Sequence, residues 1–277
     1  MIQLMGRPFQ LDNSTNMSNM EKMIIQSMDQ APDLYSYHSM DEFSFEINIR
    51  RNLIESAISM SEGQSQFTTF EHTSCNPSYW YVSESGGFLL RNDVRPSDGI
   101  WDIYRNSSLY SFECATACVI NFYHAILRQI GDHLFNLIFQ NLYLYSWHTD
   151  SDLELQTFYG DLLPGDVVYF SNPDVNPNTF WYRGENAVFL GNDLFFGHGI
   201  GIKSAEEMIE ILNEFRQPQS TQSSYLTNLI TRPSFSRLYQ FLSLQRNDRT
   251  YKKQQYLIHH NHCSISYLQH LYFLFKR

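Results

Sequence analysis

Hydrophobic and polar positions along the chain change period several times, and each change marks an element. Met20 to Met28 reads as a short helix that ends before Pro32. Ser39-Met-Asp-Glu42 has the spacing of a capping box and opens a stronger helix. Phe43, Ile47, Leu53, Ile54, Ala57 and Ile58 line its core side, and Gly63 ends it. From Gln66 the period shortens. Phe67 to Phe70, Tyr79 to Val82 and Phe88 to Leu90 are aromatic or β-branched runs parted by Cys75-Asn-Pro77 and Ser85-Gly-Gly87, which predicts a small antiparallel section. Pro96-Ser97 starts a helix through Tyr104. A long apolar helix follows, with Val119, Phe122, Tyr123, Ile126 and Ile130 on one face and Gly131 as its stop. His133 to Gln140 then reads as a helix and Leu142 to Tyr145 as a strand.

The second β-rich stretch carries more information. Leu163-Pro-Gly-Asp166 turns the chain into a strand over Val167 to Phe170, and Asn172-Pro173 and Asn176-Pro177 break it. Trp181 to Leu190 and Leu194 to Ile202, joined by Gly191-Asn-Asp193, predict a hairpin. Ser204-Ala-Glu-Glu207 is a second capping box and opens an amphipathic helix through Phe215. Residues 11–20, rich in Asn, Ser and Met, are expected to be mobile. After Arg232-Pro233 the texture changes to a charged stretch, then His259-His-Asn-His-Cys263, then an aromatic end.

Composition narrows the reading. With 277 residues, 43% hydrophobic, the chain can bury one large core, and the aromatic share of 16% suggests a core or cleft of stacked rings. A net charge of −10 argues against nucleic acid as a partner. No apolar run approaches the ~18–20 residues of a membrane span, and Met1 to Arg7 lacks the features of a secretory signal. Cys75, Cys114, Cys118 and Cys263 form no disulfide framework and suit a protein made in a reducing compartment.

Cys114 is the candidate nucleophile. It falls in the first turn of the long helix, where the macrodipole favours a thiolate, and Ala115, Thr116 and Ala117 leave room for another backbone. Cys118, one turn on, reads as core. A cysteine nucleophile needs a proton acceptor and a group to orient it. His198 lies between glycines in one strand of the predicted hairpin, and Glu185 lies at the start of the other. A cysteine at a helix start followed by a histidine on an antiparallel sheet is the order of papain-like cysteine enzymes. Glu113 also stands beside the cysteine, where a carboxylate is favourable without any catalysis. Trp181, close to Glu185, is placed to wall a channel. Gly197 to Gly201 lacks phosphate-binding spacing. His259, His260, His262 and Cys263 lack a second ligand set, so no metal or other cofactor is assigned.

Five blocks resemble the spore protein-glutamine γ-glutamyltransferases of bacilli and relatives: Phe112-Glu-Cys-Ala-Thr-Ala117, Leu142-Tyr-Leu-Tyr-Ser-Trp-His148, Gly165-Asp-Val-Val-Tyr-Phe-Ser-Asn-Pro173, Trp181-Tyr-Arg-Gly-Glu-Asn186 and Gly197-His-Gly-Ile-Gly201. They occur in the family's order, over roughly residues 33–232. The resemblance implies a single α+β domain with an NlpC/P60- or papain-like core, the cysteine helix packed against an antiparallel sheet. It implies a catalytic domain over residues 1–237 and a tail over residues 238–277 that departs from the family. It implies a calcium-independent acyltransferase, a monomer without cofactor. The expected reaction, through a thioester, cross-links spore coat proteins bearing reactive Gln and Lys. The enzyme is expected to be made in the cytoplasm of the sporulating cell and to associate with the spore coat. Cys114 matches the nucleophile. Glu185, Glu113 and His198 match the candidate partners, with Glu185 ahead of His198. Phe67, Trp147, Tyr169 and Trp181 are the expected substrate-binding rings. Two other readings stay open on the residues themselves: a cysteine amidase or peptidase of NlpC/P60 type, and a structural coat protein in which Cys114 is core.

Overall fold

The computed structural model describes residues 1–10 and 17–242, with the backbone of two short strands at residues 257–260 and 263–266. The expected His/Cys cluster at residues 259–263 has its side chains outside the described residues.

The helices start where their caps are. Ser18 accepts from the Glu21 N–H and Glu21 returns the bond, so helix α1 (Asn19–Gln30) begins in part of the stretch expected to be mobile. Ser39 accepts from the Glu42 N–H and opens α2 (Met40–Glu62), with Gly63 at its end. Its Phe43, Ile47, Leu53, Ile54 and Ala57 are buried. Helix α3 (Pro96–Arg105) leads to α4 (Cys114–Ile138), in which Gly131, at φ +75°, interrupts the helical geometry at the expected stop. Helix α5 (Ala205–Glu214) opens on the Ser204 capping box. Helix α6 (Phe235–Phe241) buries Leu238 and Phe241 in the core, so the described core continues past the division expected after residue 237.

Among the described residues one sheet dominates. Its strands are β1 (Leu155–Tyr159), β2 (Val167–Ser171), β3 (Gly184–Gly191), β4 (Leu194–Gly197), β5 (Gly201–Ser204) and β6 (Tyr225–Pro233). They lie in the order β5-β4-β3-β2-β6-β1, and every pair is antiparallel. Val167 and Val188 join the core made by α2 and α4, while Val168, Phe170 and Ala187 pack with Met208 and Leu212 of α5. Helices therefore cover both faces, and the alternation of side chains along β2 and β3 divides two cores.

Three expectations shift. The strand read through Leu194 to Ile202 is two strands, because Gly199 (φ +99°) and Gly201 (φ +93°) turn the chain at residues 198–200. Trp181 and Tyr182 lie in a 3-10 turn, Pro177–Tyr182, ahead of β3. Gln66–Phe67 leaves the small antiparallel section and pairs in parallel with Ser111–Phe112, just before α4. Trp80–Val82, Phe88–Leu90 and Tyr143–Leu144 do form that section.

A buried charge network pins the far end of the sheet. Asp166 accepts from Arg50 (3.0 Å), Arg232 (2.5 Å) and the Leu163 N–H (2.8 Å), and Glu46 accepts from Arg50 (2.8 Å) and the Tyr37 hydroxyl (2.8 Å). Asp166 and Arg50 are fully buried. Such charges are tolerated only when paired and hydrogen-bonded.

Candidate active site

The site is assembled by the first turn of α4 and the first residues of β3. Glu113 is the N-cap of α4. Its Oε2 accepts from the Ala115 N–H (2.7 Å) and its Oε1 from the Thr116 N–H (2.6 Å) and hydroxyl (2.7 Å). The Thr116 hydroxyl in turn accepts from the Ser146 N–H at 2.8 Å. A carboxylate capping first-turn N–H groups is favoured by charge-assisted bonds and by the helix dipole. Burial pushes the Glu113 carboxyl up from its ordinary value, while these donors pull it back.

Cys114 is the first helical residue and is half-buried. The Asn186 side-chain N–H donates to its sulfur at 3.4 Å. Burial, followed by the carboxyls of Glu185 and Glu113, pushes the thiol well above its usual range, and the backbone and side-chain N–H groups of Asn186 oppose the rise. The helix end alone predicts a thiolate. Desolvation and two acidic neighbours act against it. Cys118 is 2% exposed and donates to the Asn186 carbonyl at 3.6 Å.

Glu185 and Asn186 are consecutive on β3, opposite Phe170 and Tyr169 of β2. Glu185 is 4% exposed, and Gly197 of β4 passes so close that a Cβ there would lie 2.8 Å from Glu185 Cγ. Burial first, then the charge of Glu113, raise its carboxyl well above the ordinary carboxylate value, while the His198 backbone N–H and the Cys114 thiol lie close enough to favour the charged form. His198 follows Gly197 at the turn. Its ring stacks on Phe112 (centroids 4.4 Å, 17°), and burial lowers its pKa to about 4, so it is neutral at working pH. Glu185, Glu113 and Cys114 are thus brought together, and His198 meets Glu185 through its backbone.

The expected binding rings fall in two groups. Phe67 faces His198 and Tyr182, each at 6.4 Å between centroids, and Tyr182 lies flat on Phe215 at 3.6 Å. Trp181, 37% exposed, leans on Phe180 and Tyr182. Trp147 is buried in the core, one residue from the Ser146 that bonds Thr116. Tyr169 is buried on β2, and its hydroxyl donates to the Arg183 carbonyl at 3.5 Å.

The family model described as protein-glutamine gamma-glutamyltransferase matches residues 1–242. The chain belongs to the protein-glutamine γ-glutamyltransferase family. A transglutaminase of this name from Halalkalibacterium halodurans is 54% identical over 275 residues, 99% of this chain and 97% of the relative. One from Bacillus mycoides is 46% identical over 213 residues, covering 76% and 77%. The solved transglutaminase of Geobacillus stearothermophilus, without its C-terminal extension, superposes with a TM-score of 0.71 at 46% identity, over 74% of this chain and 98% of that one. The chain is therefore an acyltransferase acting on protein glutamine, which sets aside the hydrolase and non-catalytic readings. In the transglutaminase site, Asn186 and Thr116 are the residues that sequence reasoning left without a role. The Glu-Asn pair in the block Trp181 to Asn186 was the available signal for the first. Among the described residues no helix is long and apolar enough to cross a membrane.

Proposed function

We propose that this transglutaminase joins a glutamine of one spore coat protein to a lysine of another through a thioester on Cys114, with Glu185 carrying the proton. The observation that supports this best is the convergence of the Glu185 carboxyl and the Asn186 amide on the Cys114 sulfur. Both oxygens of Glu113 serve the helix cap, whereas Oε1 of Glu185 has no hydrogen-bond partner. A carboxyl raised by burial exchanges protons closer to working pH, as a general acid–base group requires.

In acylation the Glu185 carboxylate takes the thiol proton as the sulfur attacks the carboxamide carbon. The C–N bond breaks, and the nitrogen leaves as ammonia with that proton. In transfer the lysine amine attacks the thioester carbon, its proton passes through Glu185 to the departing sulfur, and the C–S bond breaks. The product is an isopeptide bond and a restored thiol. The first-turn N–H groups of Ala115 and Thr116 are engaged by Glu113, which leaves the Cys114 N–H to receive the developing oxyanion. Phe67 and Trp181, joined through Tyr182, wall the approach and limit water, which would otherwise hydrolyse the thioester, whereas Trp147 and Tyr169 are buried. The shared spore-enzyme blocks support a monomer made in the sporulating cell and retained in the coat.

The test is incorporation of a fluorescent primary amine into a glutamine-bearing protein by wild type, Cys114→Ala, Glu185→Ala and His198→Ala, with and without EDTA. Loss at Cys114→Ala, a drop of about 10²–10⁴-fold at Glu185→Ala and indifference to EDTA are expected. Incorporation retained by Cys114→Ala sinks the thioester route, and retention by Glu185→Ala sinks the proton assignment. Extracted coat proteins should form cross-linked oligomers where cytosolic proteins do not.

A further inference from the structure

Among the described residues, the buried polar atoms without a hydrogen-bond partner include three on residues of the site and its adjoining turn: Glu185 Oε1, Asn186 Oδ1 and His198 Nε2. Buried polar atoms are normally paired, and unpaired ones at a site are aimed at what binds there. Asn186 is the informative member. It is 5% exposed. Its Nδ2 is committed to the Cys114 sulfur at 3.4 Å, and its carbonyl receives the Cys118 thiol at 3.6 Å. The side-chain oxygen, on the same planar amide as Nδ2, therefore stays beside the sulfur as an acceptor with nothing to accept. An amide oxygen accepts hydrogen bonds and cannot donate one. Two N–H-bearing groups pass this point in the proposed reaction: the NH2 of the glutamine carboxamide and the amine of the lysine.

We propose that Asn186 is a catalytic and specificity-determining residue. Its N–H holds the nucleophilic sulfur while its oxygen accepts a hydrogen bond from the nitrogen that leaves and then from the one that enters. The inference rests on the thioester reading above. It assigns the preference for a primary carboxamide to one side chain, because an acyl donor without N–H leaves that oxygen buried and unpaired. The register fixes the residue: Asn186 faces Tyr169 within an unbroken stretch of β2–β3 pairing, from Val167↔Val188 to Ser171↔Gly184.

The experiment compares acylation by a glutamine peptide with acylation by the p-nitrophenyl ester of the same acyl group, which has no N–H. Asn186→Ala should lower kcat/KM for the peptide about 10–100-fold more than for the ester. It should also move the pH profile of Cys114 modification by methyl methanethiosulfonate to higher pH, since the sulfur loses a donor. Asn186→Asp keeps an acceptor oxygen and removes the N–H. It should move the profile likewise while keeping most of the peptide preference. Equal losses for both substrates with unmoved profiles would overturn the role of Asn186. The site of the acyl group, located by mass spectrometry after ester treatment, keeps the two readings apart. An acyl group elsewhere than Cys114 would overturn the thioester itself.

Discussion

Gly197→Ala offers a direct test of how tightly Glu185 is placed. The added methyl would lie 2.8 Å from Glu185 Cγ, 2.9 Å from its Oε1 and 3.1 Å from Met208 Cε, where ordinary contact begins at 3.4 Å. The end of Met208 can swing away. The carboxyl must retreat by about half an ångström, away from the strand that holds its Oε1 in place. Overpacking of this kind costs ~1–3 kcal/mol of stability. Displacing a reacting group by 1 Å can cost ~10²-fold, so a loss on the order of ten-fold in amine incorporation is expected here. The substitution belongs in a double-mutant cycle with Glu185→Ala, which empties the space. In that background the stability cost measured by urea unfolding should shrink by ~1–2 kcal/mol. A wild-type rate in Gly197→Ala, or the same stability cost in both backgrounds, would show that Glu185 is not confined as described.

Three more outcomes follow from the same contacts. The folded chain releases the Glu185 proton at higher pH than the unfolded chain, so this contribution to stability is complete below the ordinary value of 4.5 and fades as pH rises through the raised folded value. Glu185→Gln should therefore be inactive yet more stable at pH 8, by about 0.5–2 kcal/mol, with the gap closing toward pH 4 in urea titrations. Thr116→Val strips the acceptor from the buried Ser146 N–H and a donor from Glu113, and should cost about 1–3 kcal/mol in the same assay. Asp166→Ala leaves Arg50 and Arg232 buried without their shared carboxylate and should cost ~3–5 kcal/mol. Because Asp166 precedes the Val167 end of β2 and Glu185 pairs at the Phe170 end, the folded fraction should keep its specific activity.

The parts of the fold governed by local chemistry were legible in the chain. Ser39, Ser204 and Gly131 mark the ends of their helices because caps and glycine stops act within one turn. The strand at Val167 and the hairpin at Gly191-Asn-Asp193 follow from β-branched runs and a tight turn. Strand β6 was not legible. Its run from Tyr225 to Pro233 contains Asn228 and Arg232, and Arg232 is buried through an ion pair that the polar pattern reads as surface. The parallel pairing of Phe67 with Phe112 was hidden for a different reason, since nothing local encodes a partner 45 residues away. At the site, helix-start position marked Cys114 and Glu113. Asn186 went unread because an asparagine beside a glutamate looks solvated until the strand carries it under a sulfur. His198 drew attention as a base by its chemistry, yet its ring is spent against Phe112.

Glu185 and Asn186 occupy adjacent rungs of a single ladder, and from there both reach the same sulfur. Slipping β3 by one position would put the amide where the acid belongs and turn both away from their tasks. Loops around this sheet can therefore lengthen or shorten in related chains with little chemical consequence. One residue inserted between Gly184 and Asn186, by contrast, would silence an otherwise intact enzyme.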